Sequence, residues 1–235
     1  MSDVEKRVAV VTGANRGLGR AIAHALADLG LHVVVGARNT DDATAVIREA
    51  KPDASMSPHS VDIADPASVA RLMADVAHEF GRIDVLVNNA AIAIDRGQLA
   101  SSADLEKVAA TIDVNTLGTW RCCTAAIPEM KRRGYGRIVN VTSHMGTFAQ
   151  AGVGSVSYRV SKAATNMLTC ILAAELKSDN ILVNAASPGK VATRMAYGEA
   201  EQAPEAAADT FAWLATLPDG GPTGKLFFGR EEIPW

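Results

Sequence analysis

Tyr158 and Lys162 stand four residues apart in the stretch SVSYRVSKAATNML, which begins at Ser155. If this small-residue, half-apolar run is helical, the phenol and the ammonium share one face a single turn apart. A cation beside a phenol lowers its pKa, and a phenol tuned in that way can act as a general acid near neutral pH. The spacing describes a solvated surface pair equally well, so the remainder of the chain has to decide. A second stretch, VVTGANRGLGRAIA, puts Gly13, Gly17 and Gly19 between an apolar run and a helical one, with Asn15, Arg16 and Leu18 among them. Glycines there let backbone approach a pyrophosphate, and the amino end of the following helix attracts its charge. Nineteen residues past Gly19, where an NAD site offers a carboxylate to the ribose 2′-hydroxyl, the sequence is GARN. Arg38 and Arg16 together supply two guanidinium groups suited to a 2′-phosphate, which favours NADP(H); two solvated arginines are the plainer alternative.

The elements that would position these groups are legible from periodicity. Short β-branched runs (RVAVVTG, HVVVGAR, SPHSVDI, DVLVNNA, GRIVNVTS, ILVNAASPG) alternate with Ala/Leu-rich segments of helical period. The pattern predicts an α/β, doubly wound parallel sheet of six strands with a seventh at KLFFG. Helices should run from Pro66 to Phe80, from about Ser102, and through Tyr158. One Rossmann-fold domain over residues 1–235 accounts for the chain, with its crevice at the carboxyl ends of the strands. Gly30 and Gly81 fall where helices end. Residues 194–208 are small, acidic and poorly patterned, and are expected to form a mobile flap or short helix over the crevice, with Pro204 opening the next helix.

Composition narrows the classes. The 235 residues are 48% apolar and 21% charged, enough for a core, and 23 basic against 26 acidic residues leave a net charge of -3. No basic block suggests nucleic acid, no apolar run reaches membrane-spanning length, and the charged start MSDVEKR has no secretory core. A cytoplasmic protein without nucleic-acid or membrane partners is expected. The three cysteines have no metal spacing and are read as buried thiols, with no metal site.

With the glycine turn, NNA at 88–90, Ser143 after the fifth strand, Tyr158 and Lys162, and PGKVAT at 188–193, the chain resembles the short-chain dehydrogenase/reductase family over essentially its whole length. The closing DGGPTGKLFFGREEIPW resembles the tail of the carbonyl-reductase-like branch. The resemblance implies a Rossmann fold, bound NADP(H) and a small carbonyl or alcohol substrate. It gives Tyr158 the proton transfer, Lys162 the tuning of that phenol and the nicotinamide ribose, and Ser143 the carbonyl oxygen. Asn115, in DVNTLG, matches the family asparagine that kinks the long helix and holds a water of the proton relay. By the same likeness Asp62 bonds the adenine amino group, with Ile63 supplying backbone. Asp65 is the better cap for the Pro66 helix. Asn89 and Ala90 lie beside the adenosine ribose, and Asn88 is a strand-to-strand brace. Pro188, Gly189, Val191 and Thr193 hold the carboxamide and orient transfer of the pro-S hydride. Departures from the pattern are Ala91 for a usual glycine, Thr142 before Ser143, and Lys190 after Pro-Gly, expected to point outward.

The substrate pocket is expected from Ser143, His144, Met145, Val153 and Met195, with Ile92 behind the nicotinamide. It should be open and apolar, suited to a fairly bulky ketone or aldehyde. His144 could bond a polar substrate, although a lone histidine beside such a loop is more often packed or solvated. No long insertion precedes the Tyr158 helix, so the faces of that helix and of the Ser102 helix stay free for a homodimer or homotetramer. Two other readings exist: a same-fold dehydratase or epimerase, and a non-catalytic NADPH-responsive binding protein. The intact Ser143, Tyr158 and Lys162 set speaks against both.

Overall fold

The structure is a computed structural model, described over residues 6–196 and 199–235. The chain opens with β1 (Val8–Thr12), α1 (Gly17–Asp28), β2 (His32–Ala37), α2 (Thr40–Arg48), β3 (Met56–Ser60), α3 (Pro66–Phe80) and β4 (Val85–Asn88). It continues through α4 (Leu105–Ile112), α5 (Thr119–Arg133), β5 (Gly136–Val141), α6 (Val156–Glu175), β6 (Ile181–Ser187), α7 (Pro204–Ala215), β7 (Leu226–Phe228) and β8 (Glu231–Ile233). The sheet order is β3-β2-β1-β4-β5-β6-β7-β8, parallel throughout except for the β7–β8 pair. The expected seven strands are therefore eight. The eighth escaped notice because EEI is three residues long and has no apolar pattern.

Strands buried on both faces explain the nearly continuous valine runs. Successive side chains of β1 point to opposite layers: Ala9 and Val11 pack with α1 and α7 through Ile22, Leu26, Phe211 and Leu214. Val8 and Val10 pack with α3, α5 and α6 through Leu72, Val76, Met130, Leu168 and Leu172. Cys122 and Cys123 belong to that second layer, and burial pushes both thiols up, Cys123 to about 12. At the two edges the sheet changes character. β3 carries Pro58, and β8 exposes Glu231 and Glu232.

Local signals place the helices. Asp65 accepts from the Ala67 N–H at the start of α3, Pro66 occupies the first turn, and Gly81 closes the helix in the left-handed region. The helix expected from Ser102 begins at Leu105, where Asp104 accepts from the Glu106 and Lys107 N–H groups; Ala100–Ser102 forms a separate 3-10 turn. Between α4 and α5 the chain widens into a π-helical turn, Asp113–Gly118. A Cβ on Gly118 would lie 2.8 Å from Ile63 Cδ1 and 3.0 Å from the Ile63 carbonyl oxygen, so a side chain there would have to displace Ile63.

Of the expected flap, residues 204–208 are the first turn of α7, and residues 197 and 198 lie outside the described residues. Gln202 is pinned by a bridge to Val191 and donates to the Pro188 carbonyl. Among the described residues no helix is long and apolar enough to cross a membrane.

Candidate active site

β1 and β4 are neighbours in space, yet the chain runs outward from β1 to β2 and β3 before returning to β4. That reversal opens a crevice at the carboxyl ends of the strands, where α/β sheets hold ligands. A cleft of about 1090 Å³ lies there.

The glycine turn forms its floor. Gly13 has φ +61°, and a Cβ on it would come within 2.8 Å of Ala90 Cα; at Gly19 a Cβ would overlap the Asn89 amide and the Gly13 carbonyl. Side chains are therefore excluded, and the first turn of α1 is left to present its N–H groups to an anion. Gly17 approaches Thr193 from across the cleft. Thr12 and Asn89 bind the floor to the sheet. The Thr12 hydroxyl accepts from the Asn89 and Ala90 N–H groups, and the Asn89 amide donates to the carbonyls of Thr12 and Gly13.

Arg16 and Arg38 are exposed on the cleft rim, and neither forms an ion pair among the described residues. Asn39 caps α2, and Asn15 donates to Asp42. Asp62 accepts from the Ala64 N–H and lines the cleft beside Ile63. The residues present thus fit a dinucleotide with an extra phosphate: a floor without side chains, a helix amino terminus, and two uncommitted guanidinium groups.

The opposite wall carries the polar chemistry. Tyr158 and Lys162 lie on the cleft face of α6, both nearly excluded from solvent. The Lys162 ammonium is 5.7 Å from the Tyr158 ring centroid and donates to the Val141 carbonyl at 2.8 Å. Burial lowers its pKa from 10.5 to about 8. Ser143 leaves the end of β5 and accepts from the Met145 N–H at the head of a 3-10 turn.

Asn115 occupies the π-helical turn. Its Oδ1 accepts from the Ile92 N–H, while its Nδ2 donates to the Ile92 carbonyl and to Ser161 Oγ. The expected kink is present, but Asn115 does not line the cleft, and both amide hydrogens are taken by protein. Val114 lines the cleft in its place.

Every other expected contact residue lines the cleft, Ala90, Pro188, Gly189, Val191, Met145 and Met195 included, except Val153. Val153 is 84% exposed on the loop before α6, because that loop turns outward before the helix begins. Lys190 is exposed at the cleft rim, where it pairs with Glu201 at 2.7 Å. Asn88 braces β4 to β5 through Asn140.

Sequence reasoning missed the residues that hold this wall. Thr142 donates to Asn166 Oδ1 at 2.6 Å, and Asn166 in turn donates to the Gly146 carbonyl. Asp95 accepts from the Ser157 N–H at the start of α6, and Ser187 bonds His144. These contacts span 20 to 62 residues, and no local spacing announces them.

The chain matches the family described as short chain dehydrogenase over residues 7–204. It is 32% identical over 240 residues to a short-chain type dehydrogenase/reductase of Picea abies, covering 97% of this chain and 88% of that protein. It is 38% identical over 204 residues to the NADPH-dependent aldehyde reductase 2, chloroplastic, of Arabidopsis thaliana, covering 81% and 74%. The crystal structure of a metagenomic short-chain oxidoreductase in complex with NADP superposes with a TM-score of 0.80 at 33% identity, over 92% of this chain and 93% of the other. The tail likened to the carbonyl-reductase-like branch lies beyond residues 7–204, which the family match covers. Sheet order, glycine floor and matched length agree, and this chain belongs to the short-chain dehydrogenase family of oxidoreductases.

Proposed function

We propose that this protein is an NADP(H)-dependent carbonyl reductase, interconverting a ketone or aldehyde and the corresponding alcohol. The observation that carries the reading is a single cleft that has Tyr158 and Lys162 on one wall and, on the other, a side-chain-free glycine floor with two arginines that form no ion pair among the described residues. The NADP in the related oxidoreductase structure and the NADPH named for the Arabidopsis relative support the cofactor choice.

When bound, the nicotinamide cofactor supplies or takes up the hydride. The chain's own residues manage the proton and the charge. Ser143 donates to the carbonyl oxygen and stabilises the negative charge that develops there. Tyr158 gives that oxygen its proton, or takes it back in the reverse direction. Lys162 keeps a cation one helical turn from the phenol and favours its ionised form. Asn115 acts at one remove. It ties the segment at Ile92 to Ser161, whose hydroxyl donates to the Tyr158 carbonyl, and so fixes the turn of α6 that bears the phenol.

We further infer a homodimer or homotetramer. Val160, Met167 and Ile171 recur on the outer side of α6, and Leu117 and Trp120 are exposed on the long helix beside it. Sedimentation of the purified protein as a monomer would remove this assignment. The reaction itself is tested by following nicotinamide absorbance with a panel of aldehydes and ketones, with NADPH and then NADH. Turnover that favours NADPH is expected. NADPH binding without turnover in either direction would return the protein to a binding role.

A further inference from the structure

His144 follows Ser143 directly and lines the same cleft. Its Nδ1 lies 2.7 Å from Ser187 Oγ at the end of β6. That oxygen also receives the N–H groups of His144 at 3.2 Å and Gly189 at 3.4 Å. A serine hydroxyl has two acceptor sites and one proton. With both acceptor sites facing N–H donors and Ser187 buried at 2% exposure, its proton goes to Nδ1. Nδ1 is then an acceptor, and a neutral imidazole carries its hydrogen on Nε2. A protonated ring would bring a third donor to the same oxygen and strand the hydroxyl proton. Burial independently holds the His144 pKa below its ordinary value. Phe228 fixes the ring from the side, edge-on at 4.9 Å between centroids. Nε2 has no partner among the described residues.

We propose that His144 determines substrate specificity: locked by Ser187 with its hydrogen on Nε2, it offers one N–H donor to a second acceptor oxygen beside the reacting carbonyl. The inference rests on the reductase reading for its kinetic test. Ser143 and His144 line one cleft, so a substrate whose carbonyl is held by Ser143 can meet His144 through a second oxygen of the same molecule. The class so defined is a ketone bearing a second acceptor oxygen, of which a vicinal carbonyl or ester is the most compact case. A donor left unpaired in the cleft disfavours the simple ketone, because its lost hydration is not replaced.

The test compares acetylbenzoyl, a vicinal diketone, with propiophenone, its matched monoketone, as the ratio of their kcat/KM values. The intrinsic electrophilicity of the diketone cancels when variants are compared with one another. His144→Phe should lower the ratio about tenfold, as expected for one lost hydrogen bond. His144→Gln, which keeps an N–H donor, should restore most of it. Ser187→Ala, which releases the tautomer, should fall between. An unchanged ratio in the Phe variant overturns the proposal. Nitrogen NMR of the wild-type protein reads the same ring without turnover: the hydrogen should be on Nε2, and acetylbenzoyl should shift that resonance. A hydrogen on Nδ1, or an Nε2 that acetylbenzoyl leaves unmoved, overturns the proposal even if neither ketone is reduced. Absence of reduction of both ketones and of the wider panel would count against the reductase reading alone.

Discussion

The two walls of the cleft are built differently. The nucleotide side is backbone: Gly13, Gly17 and Gly19 leave space, and Thr12 and Asn89 fasten that space to the ends of β1 and β4. The substrate side is made of side chains reaching from distant segments. Ser187 reaches His144, Asp95 caps the start of α6, and Arg96 donates to the Arg194 and Ala196 carbonyls across the cleft mouth. A backbone-built wall tolerates little change, because a single added Cβ fills it. A wall held by side chains can be altered one contact at a time, so substrate preference can vary while the dinucleotide site stays fixed.

Tyr158→Phe breaks the substrate side hardest. It removes only the transferable proton, so kcat should fall about 10³-fold or more while NADPH affinity, read by fluorescence, stays within about twofold. Turnover near the wild-type rate would end the proton-transfer assignment.

Lys162 comes next, in stability rather than rate. Its pKa in the folded protein is lowered to about 8, so between there and 10.5 the unfolded chain holds a proton that the folded one has shed. Stability therefore rises with pH across that window, and the penalty relieved is on the order of 3 kcal/mol for the full shift. Lys162→Met should flatten this rise in urea melts of the ligand-free protein at pH 8 and pH 10. Equal slopes in the two proteins would mean that the ammonium is solvated after all.

Arg38→Asp probes the other wall. The KM for NADPH should rise about thirtyfold and that for NADH about threefold or less, through lost pairing and added repulsion at the 2′-phosphate. Unchanged selectivity would move the phosphate to Arg16. The smallest effect belongs to Arg96→Ala, which removes the hydrogen bonds to the Arg194 and Ala196 carbonyls at the cleft mouth. A change in substrate KM of about threefold is expected, with no change in NADPH affinity. A large loss of NADPH binding would show that the two walls are not separable.

The same division explains what could be read from the sequence. The nucleotide wall depends on local features, so glycine spacing, Asp65 before Pro66, and Arg38 at a strand end were all legible. The pair Tyr158 and Lys162 was legible too, because one helical turn relates them. The π-helical turn at Asp113–Gly118 was anticipated only as a kink at Asn115, since its contacts are with distant segments, Ile63 against Gly118 and the Ile92 backbone bonded to Asn115. Val153 was misplaced because a residue count before α6 does not reveal that the loop turns outward. Ser187 lies in an ordinary strand end, and only folding brings it to His144 across 43 residues.

An open sheet has two unpaired borders, and each could recruit a strand from another molecule. Here one border is β3, where Pro58 removes a backbone donor. The other is β8, a three-residue antiparallel strand bearing Glu231 and Glu232, the latter held by Lys225 at 2.7 Å. Neither border suits strand-by-strand growth into a fibre. Recruitment of a further strand at either edge of the sheet is thereby disfavoured.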